Sequence, residues 1–332
     1  MTYLVIGESV ADIVRAPGVP DVAHPGGSPA NVAYGLARLG HDVALLTQLG
    51  DDAMGGLIRA RLVAAGVRLL DDGQSDVRTP TAVVSLDTEG RASYTFDIAW
   101  TLRPVTPRAE EVRHVHLGSI GAAAAPGAAA ALAIAEALRG RATVSYDPNV
   151  RPALMGERSA ALAQAERCVA AADVVKASDE DLAWLCPGEP EAAVTRRWLG
   201  MGVALVLVTR GAAGAAAYTA AHTVTAPAAA VTVVDTVGAG DAFMAAVLDA
   251  LDSLHALAPE HERTERDARR ERLARLTAPE LTELLRRATA AAAVTVSRAG
   301  ANPPDAAELR RALQAPVRTP LQAAVQAQVQ AP

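Results

Sequence analysis

The sequence predicts an α/β protein built on an open, doubly wound, mostly parallel sheet. Three observations point there. Short β-branched runs alternate with Ala- and Leu-rich helical stretches along most of the chain. Glycines and N-cap residues punctuate that alternation. A single antiparallel hairpin signal interrupts it after residue 80. In such a sheet ligands bind beyond the carboxyl ends of the strands, so functional residues are sought just after strand runs.

The chain has 332 residues, 51% hydrophobic and 20% charged, which is long enough to bury a sizeable core and unlike a disordered chain. Aromatic residues make up only 3%, so Ala, Val and Leu must fill that core. The 31 basic residues are outnumbered by 37 acidic ones, a net charge of −6, and no global positive field exists to hold nucleic acid or an anionic membrane. Cys168 and Cys186 are too few for a disulfide scaffold and lack zinc spacing, so both read as reduced core residues. No run reaches the roughly 18 apolar residues of a membrane span. The opening MTYLVIGESV lacks the basic n-region of a signal peptide. A cytoplasmic protein is expected.

Contiguous Leu4, Val5 and Ile6 followed by Gly7 mark a buried first strand. Ser28 as N-cap and Pro29 at the first helical position, ahead of Val32, Leu36 and Leu39, predict a helix over 29–39 that stops at Gly40. Strand 43–49, helix 57–65 and strand 67–70 follow. Thr81 to Leu86 and Ala92 to Phe96 flank Asp87-Thr88-Glu89-Gly90 with no helix between, which implies an antiparallel insert. The β-branched stretch 12–23, broken by Pro17 and Pro20, could pair with it as a lid formed by about 11–25 and 79–103. Alternation then resumes: strand 112–117, helix 127–138, strand 142–147, helix 158–171 and strand 174–176. A helix capped by Ser178 with Asp181 three residues on, a helix at 191–199 and strand 203–209 complete it. The mixed-charge run 258–275 reads as a solvated surface helix. Residues 1–315 form one domain in this reading, and the Ala- and Gln-rich tail 316–332 is expected to be mobile.

The segment Asp235-Thr236-Val237-Gly238-Ala239-Gly240-Asp241 runs into a helix over 244–251. A Gly-Ala-Gly turn at a helix start leaves backbone N–H groups unpaired, and the helix dipole favours an anion there. Asp241 alone reads equally as a plain helix cap. Paired with an anion-binding turn it gains a second meaning, because phosphoryl transfer to a hydroxyl needs both charge stabilisation and a proton acceptor. The dinucleotide fingerprint GxGxxG and the GxxxxGK[ST] loop are both absent, which weighs against an oxidoreductase and excludes a Walker-type nucleotide site. A second glycine pair, Gly26-Gly27, enters the 29–39 helix, with Asn31 one turn inside. Exposed backbone and an amide suit a polyhydroxylated ligand, and a tight turn with Asn31 solvated suits them too. Asp12 could accept ligand hydroxyls or be a surface acid.

Together GGSPANVAYGLARLG and DTVGAGDAFMAAVL resemble the two signature motifs of the ribokinase-like (PfkB) carbohydrate kinases, and the resemblance covers nearly the whole chain. Agreeing stretches are Asp147-Pro148-Asn149-Val150-Arg151-Pro152, Lys176 to Asp181, Val208 to Gly214 and Ser297 to Ala301. The DPNVRP and SRAGANPP variants are similar to bacterial fructokinases. The resemblance implies a three-layer α/β/α sandwich with a mostly parallel central sheet and a small β-sheet lid. It also implies ATP-dependent phosphorylation of a sugar primary hydroxyl, with fructose as the leading acceptor. Ketodeoxygluconate, ribose and nucleosides are the alternatives within the family, and a non-catalytic sugar-binding regulator lies outside it. Asp241 would be the catalytic base, with Gly238, Ala239 and Gly240 forming the anion hole. Asp12, Gly26, Gly27, Asn31 and Arg151 would meet the sugar, although Arg151 reads equally as a surface ion pair. Phe96 and Trp100, two of few aromatics, could pack on a sugar face or serve the core. The nucleotide would lie along Lys176, Ser178, Thr209, Gly211 and Gly214. Asp181 would reach Mg2+ through water, although many relatives carry Asn and Glu where this chain has Ser178 and Asp181. Asp235 and the carbonyl of Arg298 resemble a site for K+; Asp235 is also a fair turn former. An exposed lid edge could pair with a second copy.

Overall fold

The computed structural model describes residues 2–71, 73–86, 92–103, 105, 111–257 and 266–314. The first strand, β1 (Thr2–Ile6), is buried throughout and sends alternate side chains to opposite faces, Tyr3 and Val5 to one and Leu4 and Ile6 to the other. The chain leaves it for β2 (Val10–Arg15) and β3 (Val22–Gly26), returns through α1 (Ser28–Arg38), and continues as β4 (Val43–Leu46), α2 (Ala53–Ala64) and β5 (Arg68–Leu70). The insert is β6 (Thr81–Leu86) and β7 (Ala92–Asp97), as the turn chemistry predicts; the turn itself, 87–91, lies outside the described residues.

Alternation resumes with β8 (Val112–Gly118), α3 (Ser119–Ala123), α4 (Gly127–Leu138), β9 (Thr143–Asp147), α5 (Arg158–Ala171), β10 (Val174–Ser178), α6 (Asp179–Leu185), α7 (Glu191–Gly200) and β11 (Leu205–Thr209). Two antiparallel strands, β12 (Ala215–Tyr218) and β13 (Thr223–Ala226), precede α8 (Ala239–Ser253), α9 (Arg266–Ala274), α10 (Ala278–Val296) and α11 (Ala306–Gln314). No strand is read from the sequence over 215–226, because an alanine run carries helix rather than strand propensity. Pairing against β11 overrides it.

The central sheet runs β13-β12-β11-β10-β9-β8-β1-β4-β5, parallel except for β12 and β13. Winding reverses between β1 and β8, the place where an open α/β sheet leaves a crevice at its carboxyl edge. One face carries Tyr3, Val5, Val43 and Leu205 against α1, α8 and α10. The other carries Leu4, Ile6, Ala44 and Val206 against the helices from α3 to α7. Each fully buried Leu or Val of these layers contributes roughly 1.5–3 kcal/mol relative to exposure. A second, separate sheet has the order β3-β2-β6-β7, with β2 and β3 packed against α2.

Two expectations need correction. The 258–275 run is not simply a solvated helix: in its described part Arg269 is 1% exposed and Leu273 is fully buried, so α9 turns one side into the core. Ser28 is not the N-cap of α1. That place belongs to Gly27, whose φ of 95° suits glycine, and the Ser28 hydroxyl goes elsewhere. The tail 316–332 lies outside the described residues.

Candidate active site

The close crossing of α1 and α8 sets the centre of the site. Gly35 lies so near Ala245 that a Cβ on it would approach the Ala245 Cβ to 2.9 Å. That proximity brings the start of α1 to the start of α8, and there the Asp241 carboxylate is held from two sides. Ser28 Oγ donates to its Oδ1 at 2.6 Å and Asn31 Nδ2 donates to its Oδ2 at 2.9 Å. Burial pushes the Asp241 carboxyl up; the Ser28 and Asn31 bonds and the charges of Lys176 and Arg151 oppose that. The result is a fixed, poorly solvated carboxylate, favourable for accepting a proton.

Gly238 begins α8 in the left-handed region at φ 76°, and no side chain caps the helix. Ala239, Gly240 and Asp241 therefore occupy the first turn, where an α-helix has no carbonyl of its own for the backbone N–H groups; the Ala239 N–H is met by the Thr236 carbonyl before the helix, at 3.3 Å. Lys176 reaches the same turn from β10. Its Nζ would stand 2.9 Å from a Cβ on Gly240, so a side chain there would displace the ammonium from the turn. That ammonium is 4% exposed and bonds Asp147 Oδ2 at 2.7 Å. Burial alone would lower its pKa, but the Asp147 carboxylate, followed by Asp181, more than compensates and raises it. Burial also lifts Asp147, to about 6. The pair is thus ionic at neutral pH, with a buried cation facing the helix mouth.

On the other flank, Asp12 of β2 lies across Gly26, where a Cβ would fall 2.1 Å from its Oδ2. Burial pushes Asp12 up to about 6, while Arg151 and then His24 pull the other way and Asp241 adds to the rise. Asp12, His24, Ala82 and Phe96 occupy one cross-strand row of the small sheet, so their side chains share a face. Phe96 is 37% exposed on it. Trp100 departs from the sugar-stacking expectation: it is 2% exposed in the core, and its Nε1–H is spent on the Gly121 carbonyl at 2.9 Å. Its indole anchors the end of the insert to α3.

Beyond β9, β10 and β11 opens a cavity of about 830 Å³. Lys176, Ser178, Asp181, Thr209, Gly211, Gly214 and Gly240 line it, and so does Arg151, which the sequence reading places at the sugar. Ala292, Ala293 and Val296 of α10 supply an apolar wall. Asp181 is engaged there: its Oδ2 accepts the Ser178 N–H and its Oδ1 the Val150 N–H, each at 2.7 Å. A lone pair on each oxygen remains for water, which fits a hydrated divalent cation carried by phosphate better than a protein cage. Among the described residues no group of three or more His, Cys, Asp or Glu could hold a metal ion.

Asp235 lies behind the Gly238 turn. Its Oδ1 accepts the Val237 N–H at 3.0 Å and its Oδ2 the Gly300 N–H at 2.8 Å. The Val237 bond lowers its pKa most, ahead of an opposing burial effect. It acts as the expected turn former and ties the α8 entrance to the loop after α10. The Arg298 side chain is paired with Glu308, leaving its carbonyl as the group to consider for a cation.

Sequence reasoning missed three residues. The Ser28 hydroxyl is spent on Asp241. Asp147 anchors Lys176. Glu8, 1% exposed, accepts the Gly121 N–H at 2.7 Å and is pushed by burial up to about 7. Glu8 and Asp147 lie at strand carboxyl ends, which is a usable signal; nothing local marks Ser28.

Comparison with known proteins gives a consistent picture. The family model described as pfkB family carbohydrate kinase matches residues 5–308. A fructokinase of Klebsiella pneumoniae is 35% identical over 273 residues, 77% of this chain and 88% of the relative. Among solved structures, a fructokinase with bound ATP from Xylella fastidiosa superposes with a TM-score of 0.77 at 27% identity, covering 94% of this chain and 98% of its own. A fructokinase double mutant from Vibrio cholerae O395, in a form with fructose, ADP and potassium ion bound, has a TM-score of 0.73 at 26% identity, with coverage of 94% and 98%.

Proposed function

The chain belongs to the pfkB family of carbohydrate kinases, and from that premise we propose that it transfers the γ-phosphoryl group of ATP to the primary hydroxyl of fructose, giving fructose 6-phosphate. The observation that carries the reading is the Asp241 carboxylate fixed by Ser28 and Asn31 at the uncapped mouth of α8. Fructokinases among the relatives and neighbours support fructose as the acceptor. The nucleotide occupies the cavity beside β10 and β11 with its terminal phosphate toward Gly240. Asp241 removes the hydroxyl proton as the oxygen attacks in line. The N–H groups of residues 238–240 and the Lys176 ammonium take the charge on the transferring oxygens. Asp12, Gly26, Gly27 and Arg151 hold the acceptor. Asn31 acts on it through Asp241.

Asp181 would hold Mg2+ through water, and the ion would supply positive charge against the phosphates of the nucleotide. Asp235 and the Arg298 carbonyl would hold K+, a reading supported by the neighbour with potassium ion bound. The small sheet closes over the sugar and excludes water that would otherwise hydrolyse ATP. Val14 and Val22, 40% and 49% exposed on the same sheet, offer a surface on which a second copy can pair. No helix among the described residues is long and apolar enough to cross a membrane. The free, buried Cys168 and Cys186 suit a reducing compartment such as the cytoplasm.

The test is coupled ADP release with fructose, 2-keto-3-deoxygluconate, ribose and adenosine, for wild type and Asp241→Asn. Fructose-dependent turnover is expected, lost by ~10²–10⁴-fold or more in the variant. Equal rates in the two proteins remove the assignment of the base. Preference for another acceptor moves the enzyme within its family. Binding of sugar without turnover by the wild type leaves a regulator.

A further inference from the structure

The two flanks of the site are joined from behind by one side chain. Arg61 on α2 donates from Nη1 to the Pro25 carbonyl at 3.1 Å and from Nη2 to the Ala301 carbonyl. Its guanidinium carbon lies 4.3 Å from the centre of the Tyr34 ring on α1, which fixes the plane of the fork. A planar guanidinium directs donors at two carbonyls at once; an ammonium is a point charge with no such geometry.

What those carbonyls belong to gives the contact its meaning. Pro25 precedes Gly26, the glycine across which the Asp12 carboxylate lies. Ala301 rests on Gly238, where a Cβ would fall 2.6 Å from the Ala301 Cβ. The Gly300 N–H beside it is held by Asp235, itself bonded to the N–H of Val237. Arg61 therefore sits one residue from the acceptor turn on one side and one contact from the anion turn on the other. It is not among the residues lining the cavity.

We propose that Arg61 is a positioning residue that couples acceptor binding at Asp12 and Gly26 to the geometry of the phosphate-binding turn at Gly238, making the binding of sugar and nucleotide mutually reinforcing. The inference rests on the kinase reading above. An arginine that merely fastened α2 to the body of the protein would change the melting temperature and leave each ligand's effect on the other intact.

The experiment measures fructose affinity by calorimetry with and without a non-hydrolysable ATP analogue and magnesium, on the full chain. Wild type, Arg61→Ala and Arg61→Lys are compared, with melting temperature and turnover followed alongside. Wild type is expected to bind fructose more tightly in the presence of nucleotide, by a factor in the ~5–150-fold range usual for linked sites, with the same factor appearing reciprocally in nucleotide affinity. In Arg61→Ala that factor is expected to fall to ~1 while each ligand alone binds nearly as before. Arg61→Lys, which cannot bridge both carbonyls, should also lose most of it. Undiminished coupling in either variant, or no coupling in the wild type, overturns the proposal. Should Arg61→Ala fail to fold, Arg61→Lys decides the matter. Absence of fructose turnover by the wild type would instead count against the kinase reading, and the binding data separate the two failures.

Discussion

The acceptor flank and the donor flank of the site solve opposite electrostatic problems. Around the acceptor, burial raises the carboxyls of Glu8, to about 7, of Asp12, to about 6, and of Asp241 above the ordinary carboxylate range. On the donor flank the acids are tied down, Asp147 to Lys176 and Asp181 to two backbone amides, and a buried ammonium faces the helix mouth. The acceptor flank is thus poor in compensating charge and suited to taking up a proton, whereas the donor flank is pre-charged to receive an anion. Desolvation works in both, Asp147 included, but it is on the donor flank that a buried carboxylate is ion-paired with a cation before substrate arrives.

The sharpest way to break this contrast is to remove the donor-side cation. Lys176→Met keeps the length and apolar stem of the side chain and leaves Asp147 without its partner. Loss of a preorganised charge at a transition state costs ~10²–10³ in kcat. Breaking a buried ion pair by deleting one partner destabilises by ~3–5 kcal/mol. Steady-state kinetics and urea unfolding of Lys176→Met should show both losses. Adding Asp147→Asn should restore part of the stability without restoring kcat. A double variant as active as wild type would make Lys176 a packing residue only.

The two flanks also differ in how much of them the sequence discloses. The donor flank is written in local motifs: the Ser178 and Asp181 capping box, the strand ending at Thr209 and the glycines at 211 and 214 fall where the pattern puts them. The acceptor flank is assembled from residues 210 and 213 positions apart, and only the crossing of α1 over α8 brings Asn31 and Ser28 to Asp241. No periodicity within a single window can report that crossing, so Ser28 reads as a cap and Asn31 as a ligand group. The fold is legible because nearly every central strand is a contiguous apolar run. The antiparallel edge at β12 and β13 is hidden because its residues are alanines whose strand state is imposed by their neighbours.

A milder perturbation sharpens the comparison by pH. Asp12 must be ionised to accept sugar hydroxyls, and burial places its titration near pH 6. As pH falls through 6 the protonated fraction grows, so the KM for fructose should rise by up to ~10-fold per unit below that point, while the KM for ATP should change less, because Lys176, whose pKa is raised, stays charged even where Asp147, also near 6, takes up a proton. Asp12→Asn should have a high fructose KM that no longer follows pH in this range. Initial rates from pH 5 to 8 with each substrate varied in turn decide it. Parallel pH dependence of both KM values would contradict the separation of the flanks.

The smallest effect expected concerns the two aromatics at the insert, which the sequence treats alike and the structure does not. Trp100 is a core residue whose indole N–H is satisfied by Gly121, so Trp100→Phe should cost ~1 kcal/mol or somewhat more by stranding that carbonyl and should leave the fructose KM unchanged. Phe96 shares the Asp12 row at 37% exposure, and Phe96→Ala should do the reverse, raising the fructose KM a few-fold, in keeping with ~1 kcal/mol of lost apolar contact, with little change in melting temperature. Paired measurement of KM and thermal unfolding on the two variants tests the division directly. If Trp100→Phe shifts KM while Phe96→Ala does not, the acceptor lies under the root of the insert rather than under its exposed strand, and the row from His24 to Phe96 loses its role in recognition.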